Sequence, residues 1–166
     1  MKETSRKTEW TLCGIDSPTT YSGAGVYQIL LFRNEKPVPI HRLVGIDTEG
    51  VLAIGHTENI ENRRKQFRRS SEEAERGHSE GIQWWLVKNF QKQIFEGCQI
   101  KFKYVKLGSK NDAKKEEERQ IKAYFEKYCE APPLNGSIPK RIEWFEELRS
   151  TEPPQRGNAS SAHIKY

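Results

Sequence analysis

Glu117 lies on the apolar side of a predicted helix, where a charged carboxylate is unusual. Residues 113–129 place Ile121, Tyr124 and Phe125 on one helical face, and Glu117 lies one turn upstream on that face. A carboxylate that faces the core must be neutralised by a cation, a metal or hydrogen bonds. The alternative is that the stripe ends at Ile121 and that Glu117 is solvated near the helix start, where the helix dipole stabilises negative charge.

A cluster of basic residues lies on another predicted helix, which begins near Thr57. Arg63 lies between Ile60 and Phe67, the residues that mark the apolar face of this helix. Five of the nine residues from 61 to 69 are basic, and such a run is commonly a solvated face. If lysines on a strand face join it, the cluster becomes a phosphate-binding surface. The candidate nucleic-acid-binding residues are Arg64, Lys65, Arg68, Arg69, Lys101 and Lys103.

Three further residues have side chains suited to proton transfer. Tyr27 lies in a continuous apolar run, where most tyrosines are core residues with a satisfied hydroxyl. His56 follows directly after a second apolar run, and His78 lies in a loop between two predicted helices. Histidine changes its charge near neutral pH, although a loop histidine is commonly just a solvent-exposed polar residue.

The order of predicted elements is β-β-α-α-β-α-α, which indicates an α/β domain with a three-stranded, mostly antiparallel sheet flanked by helices. Apolar runs and alternation predict the strands, and 3.6-residue periodicity predicts the helices. The second helix has a wide apolar face and is predicted to lie deep in the core, and Ser70 and Ser71 are predicted to interrupt the first. Asn111 or Asp112 is expected to cap the third helix. The strands are 25–32, 51–55 and 99–107, and the helices begin near 57, 82, 113 and 141, the last ending near 148.

Composition limits the chain to one main domain and excludes a membrane span. The chain has 166 residues and a net charge of +5, with 34% hydrophobic and 31% charged residues. Its apolar runs are far shorter than the roughly 20 residues that cross a bilayer. Residues 1–22 are expected to be an N-terminal extension, 23–149 the domain and 150–166 a disordered tail.

The three cysteines indicate a reducing, cytoplasmic setting. Cys13, Cys98 and Cys129 have no spacing typical of a zinc site, and three thiols cannot pair completely. Each lies among apolar residues, so each is predicted to be a small buried side chain.

Taken together, these residues resemble the GIY-YIG nuclease family. An arginine follows the second triplet's glycine by eight residues, and a helix of the form Ala-x-x-x-Glu-x-x-x-Ile comes later. The resemblance covers about two thirds of the chain. It is carried by Gly25-Val26-Tyr27, Ala53-Ile54-Gly55, Arg63, the set Ala113, Glu117 and Ile121, and the segment Pro132-Pro133-Leu134-Asn135.

The resemblance implies hydrolysis of a phosphodiester bond with one divalent metal, Mg²⁺ or Mn²⁺. Glu117 would hold the metal through oxygen, as hard cations prefer. Arg63 would bind the scissile phosphate, and Tyr27 would orient or deprotonate the attacking water. Asn135 would fix the loop near Glu117.

Two positions depart from the family pattern. The tyrosine that opens the second triplet is replaced by Ala53, and Phe67 stands where many members have His or Tyr. His56 would supply a hydrogen bond or proton transfer in their place, and His78 would line the cleft. The sequence therefore predicts an endonuclease, with DNA favoured over RNA as its substrate. The alternatives are a catalytically impaired nucleic-acid-binding module of the same fold, and an unrelated α/β domain whose basic helix binds protein or RNA. A homodimer or a protein partner stays open.

Overall fold

The computed structural model describes residues 9–73 and 77–136. Its main sheet is antiparallel, with β2 at the centre between β7 on one side and β6 and β3 on the other, and β1 pairs with β7. The hairpin of β4 and β5 forms a second, small sheet. The strands are β1 (Thr11–Gly14), β2 (Gly25–Arg33), β3 (Lys36–Pro37), β4 (Ile40–His41), β5 (Ile46–Asp47), β6 (Val51–Thr57) and β7 (Cys98–Lys106), and the helices are α1 (Ile60–Glu73), α2 (Ser79–Phe90) and α3 (Lys110–Tyr128).

The two faces of the sheet pack against different helices. One face buries Tyr27 and Phe102 against Phe67 of α1 and Trp84 of α2. The other buries the alternate positions of the same strands against α3, for example Val26, Ile54 and Val105 against Ile121 and Tyr124. Covering both faces explains why β2 is apolar along almost its whole length.

The predicted fold class, a small α/β domain with a mostly antiparallel sheet, is confirmed. The three predicted strands are β2, β6 and β7, and β1 and β3 extend this core to five strands. The helix predicted over 141–148 and the tail predicted over 150–166 lie outside the described residues.

Three predictions about helices are wrong. Ser70 and Ser71 do not interrupt α1, because Ser70 is buried and its hydroxyl accepts a hydrogen bond from the His78 backbone N–H. Helix α2 does not lie deep in the core, since Phe90 is 80% exposed. Helix α3 is capped by neither Asn111 nor Asp112, because the Ser109 hydroxyl accepts the Asp112 N–H.

The prediction that all three cysteines are buried is also wrong. Cys129 is exposed at the C-terminal end of α3, and Cys13 and Cys98 are partly buried. In the part of the chain that the structure describes, no helix is long and apolar enough to span a bilayer.

The segment before β2 is attached to α1 through a buried ion pair. Arg64 donates two hydrogen bonds to Glu61, each 2.9 Å long, and a third to the carbonyl oxygen of Ile15. The same Glu61 carboxylate accepts the Thr19 N–H at 3.0 Å. The hydrogen bonds from Arg64 lower the pKa of Glu61 to about 2. Arg64 therefore has a structural role, and its prediction as a surface cation for nucleic acid is wrong.

We expect Arg64→Ala to destabilise the fold by about 3 kcal/mol, because it leaves the buried Glu61 carboxylate without its partner. Lys65→Ala is the matched control. Lys65 also reaches Glu61, at 3.5 Å, but its side chain is 59% exposed, so we expect a loss of less than about 1 kcal/mol. Guanidinium unfolding curves at pH 7 measure both changes, and equal losses would contradict the assigned role of Arg64.

Candidate active site

The hydroxyl of Tyr27 lies at the centre of a small polar cluster inside the fold. Tyr27 is 2% exposed, and its ring stacks on Phe102 with the ring centres 5.4 Å apart. Its hydroxyl lies 3.2 Å from His78 Nε2 and donates to Glu80 Oε2 at 3.3 Å. Since a phenol has one proton, the hydroxyl donates to only one of these two neighbours at a time.

Gly55 leaves the space that Tyr27 occupies. The two residues are paired across β2 and β6, and the Tyr27 ring lies directly over the Gly55 α-carbon. A β-carbon at position 55 would overlap the Tyr27 hydroxyl oxygen. The second glycine of the motif therefore has a packing reason: only glycine lets the phenol reach the edge of the sheet at this point.

Arg63 lies against the same ring. Its guanidinium carbon is 6.0 Å from the centre of the Tyr27 ring. Its Nε is buried and has no hydrogen-bond partner within the described residues. A buried guanidinium N–H without an acceptor is costly, but this Nε is enclosed by protein atoms, so an anionic ligand would bind Arg63 through its other guanidinium nitrogens.

Burial and charge move the protonation states in this cluster. Burial raises the pKa of Glu80 to about 7, while the Tyr27 hydrogen bond and the charge of Arg63 oppose the shift. Burial, together with the charge of Arg63, lowers the pKa of His78 to about 4, so His78 is neutral at pH 7. Burial raises the pKa of Tyr27 well above its ordinary value, and the charges of Glu80 and Glu117 add to this effect. Tyr27 is thus a neutral phenol.

Glu117 and His56 form a second contact beside this cluster. The two side chains come from α3 and β6, and His56 Nδ1 donates to Glu117 Oε2 at 2.6 Å. The Glu117 side chain is 16% exposed, so the alternative of a fully solvated carboxylate is not found. Glu117 lies close enough for its charge to raise the pKa of both Tyr27 and Glu80. No group of three or more potential metal-binding side chains occurs within 9–73 and 77–136.

Asn135 secures the edge of β6 beside these residues. Its side-chain amide donates to the Ile54 carbonyl at 2.8 Å and accepts the Ile54 N–H at 2.9 Å. The backbone N–H of Leu134 donates to the Leu52 carbonyl at 2.8 Å. The loop after α3 thus pairs with β6 much as a further strand would, and it holds the strand that carries Gly55 and His56.

The predicted basic surface is divided between two faces of the domain. Lys65, Arg68 and Arg69 are exposed on α1, where Arg68 also approaches Asp16 and Glu72. Lys101 and Lys103 do not join them, because they alternate with core residues that face α1 and therefore point to the α3 side. There they pair with Glu35 and Glu49 respectively, so the prediction that one strand face extends the α1 cluster is wrong.

Glu80 is the site residue that sequence reasoning missed. An acid in the first turn of a helix is commonly explained by the helix dipole, so nothing marked this one as buried. The available signal was Gly81, which lets the start of α2 pack closely on α1. A β-carbon there would lie 2.7 Å from the Ser70 β-carbon and 2.9 Å from the Phe67 carbonyl oxygen. That contact turns His78 and Glu80 toward Tyr27.

The small antiparallel sheet of this α/β domain brings Tyr27, Arg63 and Glu117 near one edge. The family model described as GIY-YIG domain-containing protein matches residues 6–136, and the chain belongs to this family. No curated protein and no solved structure matches the chain. Family membership indicates a nuclease-type function and a nucleic acid as the substrate class.

We expect Gly55→Ala to disturb the site, because the new methyl group must displace the Tyr27 hydroxyl from His78 and Glu80. The ring is buried and stacked on Phe102, so we expect overpacking to cost about 1 to 3 kcal/mol of stability. We also expect nuclease activity to fall about tenfold or more. Thermal unfolding and a DNA-nicking assay measure the two effects. An alanine variant with wild-type stability would contradict the contact.

Proposed function

We propose that this protein is a metal-dependent endonuclease that hydrolyses phosphodiester bonds in DNA. The observation that carries the proposal is the position of Arg63, whose guanidinium lies over the Tyr27 ring and whose Nε has no hydrogen-bond partner within the described residues. Nearby, Glu117 supplies a carboxylate that is mostly shielded from solvent. A cation for the phosphate, a hydroxyl for water and an oxygen ligand for a metal are the groups that such hydrolysis requires.

The donor chemistry of Glu117 fits Mg²⁺ or Mn²⁺. These hard cations bind oxygen, and Mg²⁺ is commonly held by one or two carboxylates together with waters and substrate phosphates. Glu117 would hold a single ion of this kind. When bound, the metal would stabilise charge on the scissile phosphate and on the leaving oxygen. His56 positions Glu117, because its Nδ1–H holds one carboxylate oxygen.

Arg63 and the exposed cations of α1 would bind the DNA backbone. Arg63 would hold the scissile phosphate through its guanidinium group. Lys65, Arg68 and Arg69 follow on the same helix and are exposed, so they would contact neighbouring phosphates. The free thiols Cys13, Cys98 and Cys129 support a reducing, cytoplasmic setting for this activity.

Tyr27 would orient the attacking water, and Glu80 would receive the proton. Tyr27 has a raised pKa, which makes its own ionisation an unsuitable first step. Its hydroxyl already donates to Glu80, so a proton taken from water can be matched by one passed to Glu80. The pKa of Glu80, about 7, suits a base at neutral pH. His78 is neutral, and its Nε2 is the second hydrogen-bonding neighbour of the phenol.

The second candidate function is a nucleic-acid-binding module that no longer cuts. Ala53 and Phe67 are both fully buried and apolar, so neither provides a hydrogen bond to substrate or water. If the missing groups are essential, Arg63 and α1 would still bind DNA while the bond stays intact. Cleavage and binding must therefore be measured on the same variants.

We expect Glu117→Ala to abolish plasmid nicking in Mg²⁺ or Mn²⁺ while leaving salt-dependent DNA binding largely intact. The reason is that the substitution removes the metal ligand and none of the phosphate-binding cations. Glu126→Ala is the matched control, since Glu126 is an exposed carboxylate on the same helix. Nicking by the Glu117 variant at the wild-type rate would refute the role of this residue. A wild-type protein that binds DNA and never nicks it in any metal would favour the binding module.

We expect the wild-type nicking rate to rise with pH up to about 7 and then level off, because Glu80 must be deprotonated to accept a proton. Tyr27, His78, Arg63 and Glu117 all face or influence Glu80, and the lowered pKa of His78 keeps its imidazole neutral near pH 7. Glu80→Gln should lower the rate about a hundredfold and flatten the profile.

The stability of Glu80→Gln relative to the wild-type protein should increase as the pH rises. A folded-state pKa near 7, against 4.5 for the unfolded chain, means that Glu80 destabilises the fold progressively as pH rises from about 4 to 8. Glutamine removes this penalty, so its advantage over glutamate should grow by about 2 to 3 kcal/mol across that range. Unfolding curves at pH 5 and pH 8 test this. If the nicking rate of Glu80→Gln showed the same pH profile as the wild-type rate, Glu80 would be excluded as the proton acceptor. This holds for any result of the stability measurements.

A further inference from the structure

An apolar groove lies on the side of α2 that faces away from α1. Its volume is about 470 Å³, and it runs between α2, the strand β4 and the loop that follows α3. Two of its residues, Leu86 and Val87, are 41% and 38% exposed. Phe90 continues the apolar surface one turn further along α2. The groove is lined by Ile40, Leu86, Val87, Phe95, Pro133 and Leu134, among others.

We propose that residues 141–148 of this same chain dock in the groove as an amphipathic helix. The sequence of this segment places its four apolar residues within one arc of about 160° on a helix of 3.6 residues per turn. An isolated helix of eight residues is unstable in water, so this one needs an apolar surface to form on. The apolar residues are Ile142, Trp144, Phe145 and Leu148.

The path of the chain favours this segment over any other occupant. Pro133 and Leu134 form part of the groove wall, and the Leu134 N–H is fixed on the Leu52 carbonyl. Only four residues separate Gly136 from Arg141, and five backbone steps span at most about 18 Å. A tethered segment binds at an effective concentration in the millimolar range, whereas a second copy must offset the entropy of association.

The carboxylates of the segment would remain in water. Glu143, Glu146 and Glu147 lie opposite the apolar arc, whereas Arg141 falls within the arc at the first position of the segment. Arg42 lines the groove but is already paired with Glu130, so charge adds little to this docking.

Hydrogen–deuterium exchange of the full-length protein tests the proposal. We expect the amides of 141–148 to exchange at least about tenfold more slowly than those of 152–166. Leu86→Asp should remove this protection, because it places a carboxylate in the groove. Leu43→Asp is the matched control: Leu43 is 78% exposed and lies outside the groove, so protection should remain. Retained protection of α3 checks that each variant is folded.

Trp144→Ser provides a second, independent variant, since it alters the segment and leaves the groove unchanged. We expect it to remove the protection of 141–148 even if Leu86→Asp fails to fold. Rapid exchange of 141–148 in the wild-type protein would overturn the proposal. Protection that survives either substitution in a folded protein would also overturn it. Protection that rises with protein concentration would assign the groove to a second copy instead.

Discussion

The contact between Tyr27 and Gly55 sets the position of every other group in the site. Strand β2 is paired on both sides, so its register is fixed by β7 and by β6 together. That register places the Tyr27 ring on Phe102 and its hydroxyl over Gly55. A slip of one residue would turn the phenol to the opposite face, toward α3 and away from Arg63. Tyr27 and Gly55 therefore depend on each other, because the phenol fits only where position 55 has no side chain.

Two adjacent arginines show how partners decide the role of a residue. Arg64 is buried and fully engaged with Glu61 and Ile15, so its charge is neutralised within the fold. Arg63, at the preceding position of α1, faces Tyr27, and its Nε has no partner in the part of the chain that the structure describes. The first arginine stabilises the protein and the second is available to a ligand. Composition and net charge do not distinguish the two arginines. Their roles differ because Arg64 contacts a carboxylate and Arg63 contacts the Tyr27 ring.

The sequence predicted well what depends on local pattern and less well what depends on long-range packing. Strand β2 and the stripe of α3 follow from periodicity, whereas periodicity left open whether Glu117 faces the core or solvent. The separation of Lys101 from α1 was in principle available, because alternation along β7 sends the lysines and Phe102 to opposite faces. The burial of Glu80 could not be predicted from alternation in this way. Its burial depends on how closely α2 approaches α1 at Gly81, and that distance is a property of the assembled fold.

The departures from the family pattern gain a physical explanation from α2. Ala53 and Phe67 lie in the core and give the Tyr27 hydroxyl no polar neighbour. Its polar neighbours instead come from the start of α2, as His78 and Glu80. Burying these two side chains costs free energy, because burial raises the pKa of Glu80 and lowers the pKa of His78. The fold must then hold the first turn of α2 firmly against α1, because any movement of that helix would separate Glu80 from the phenol. The proposed docking of residues 141–148 on the opposite side of α2 would supply that restraint. The apolar groove would then help to hold Glu80 in the site.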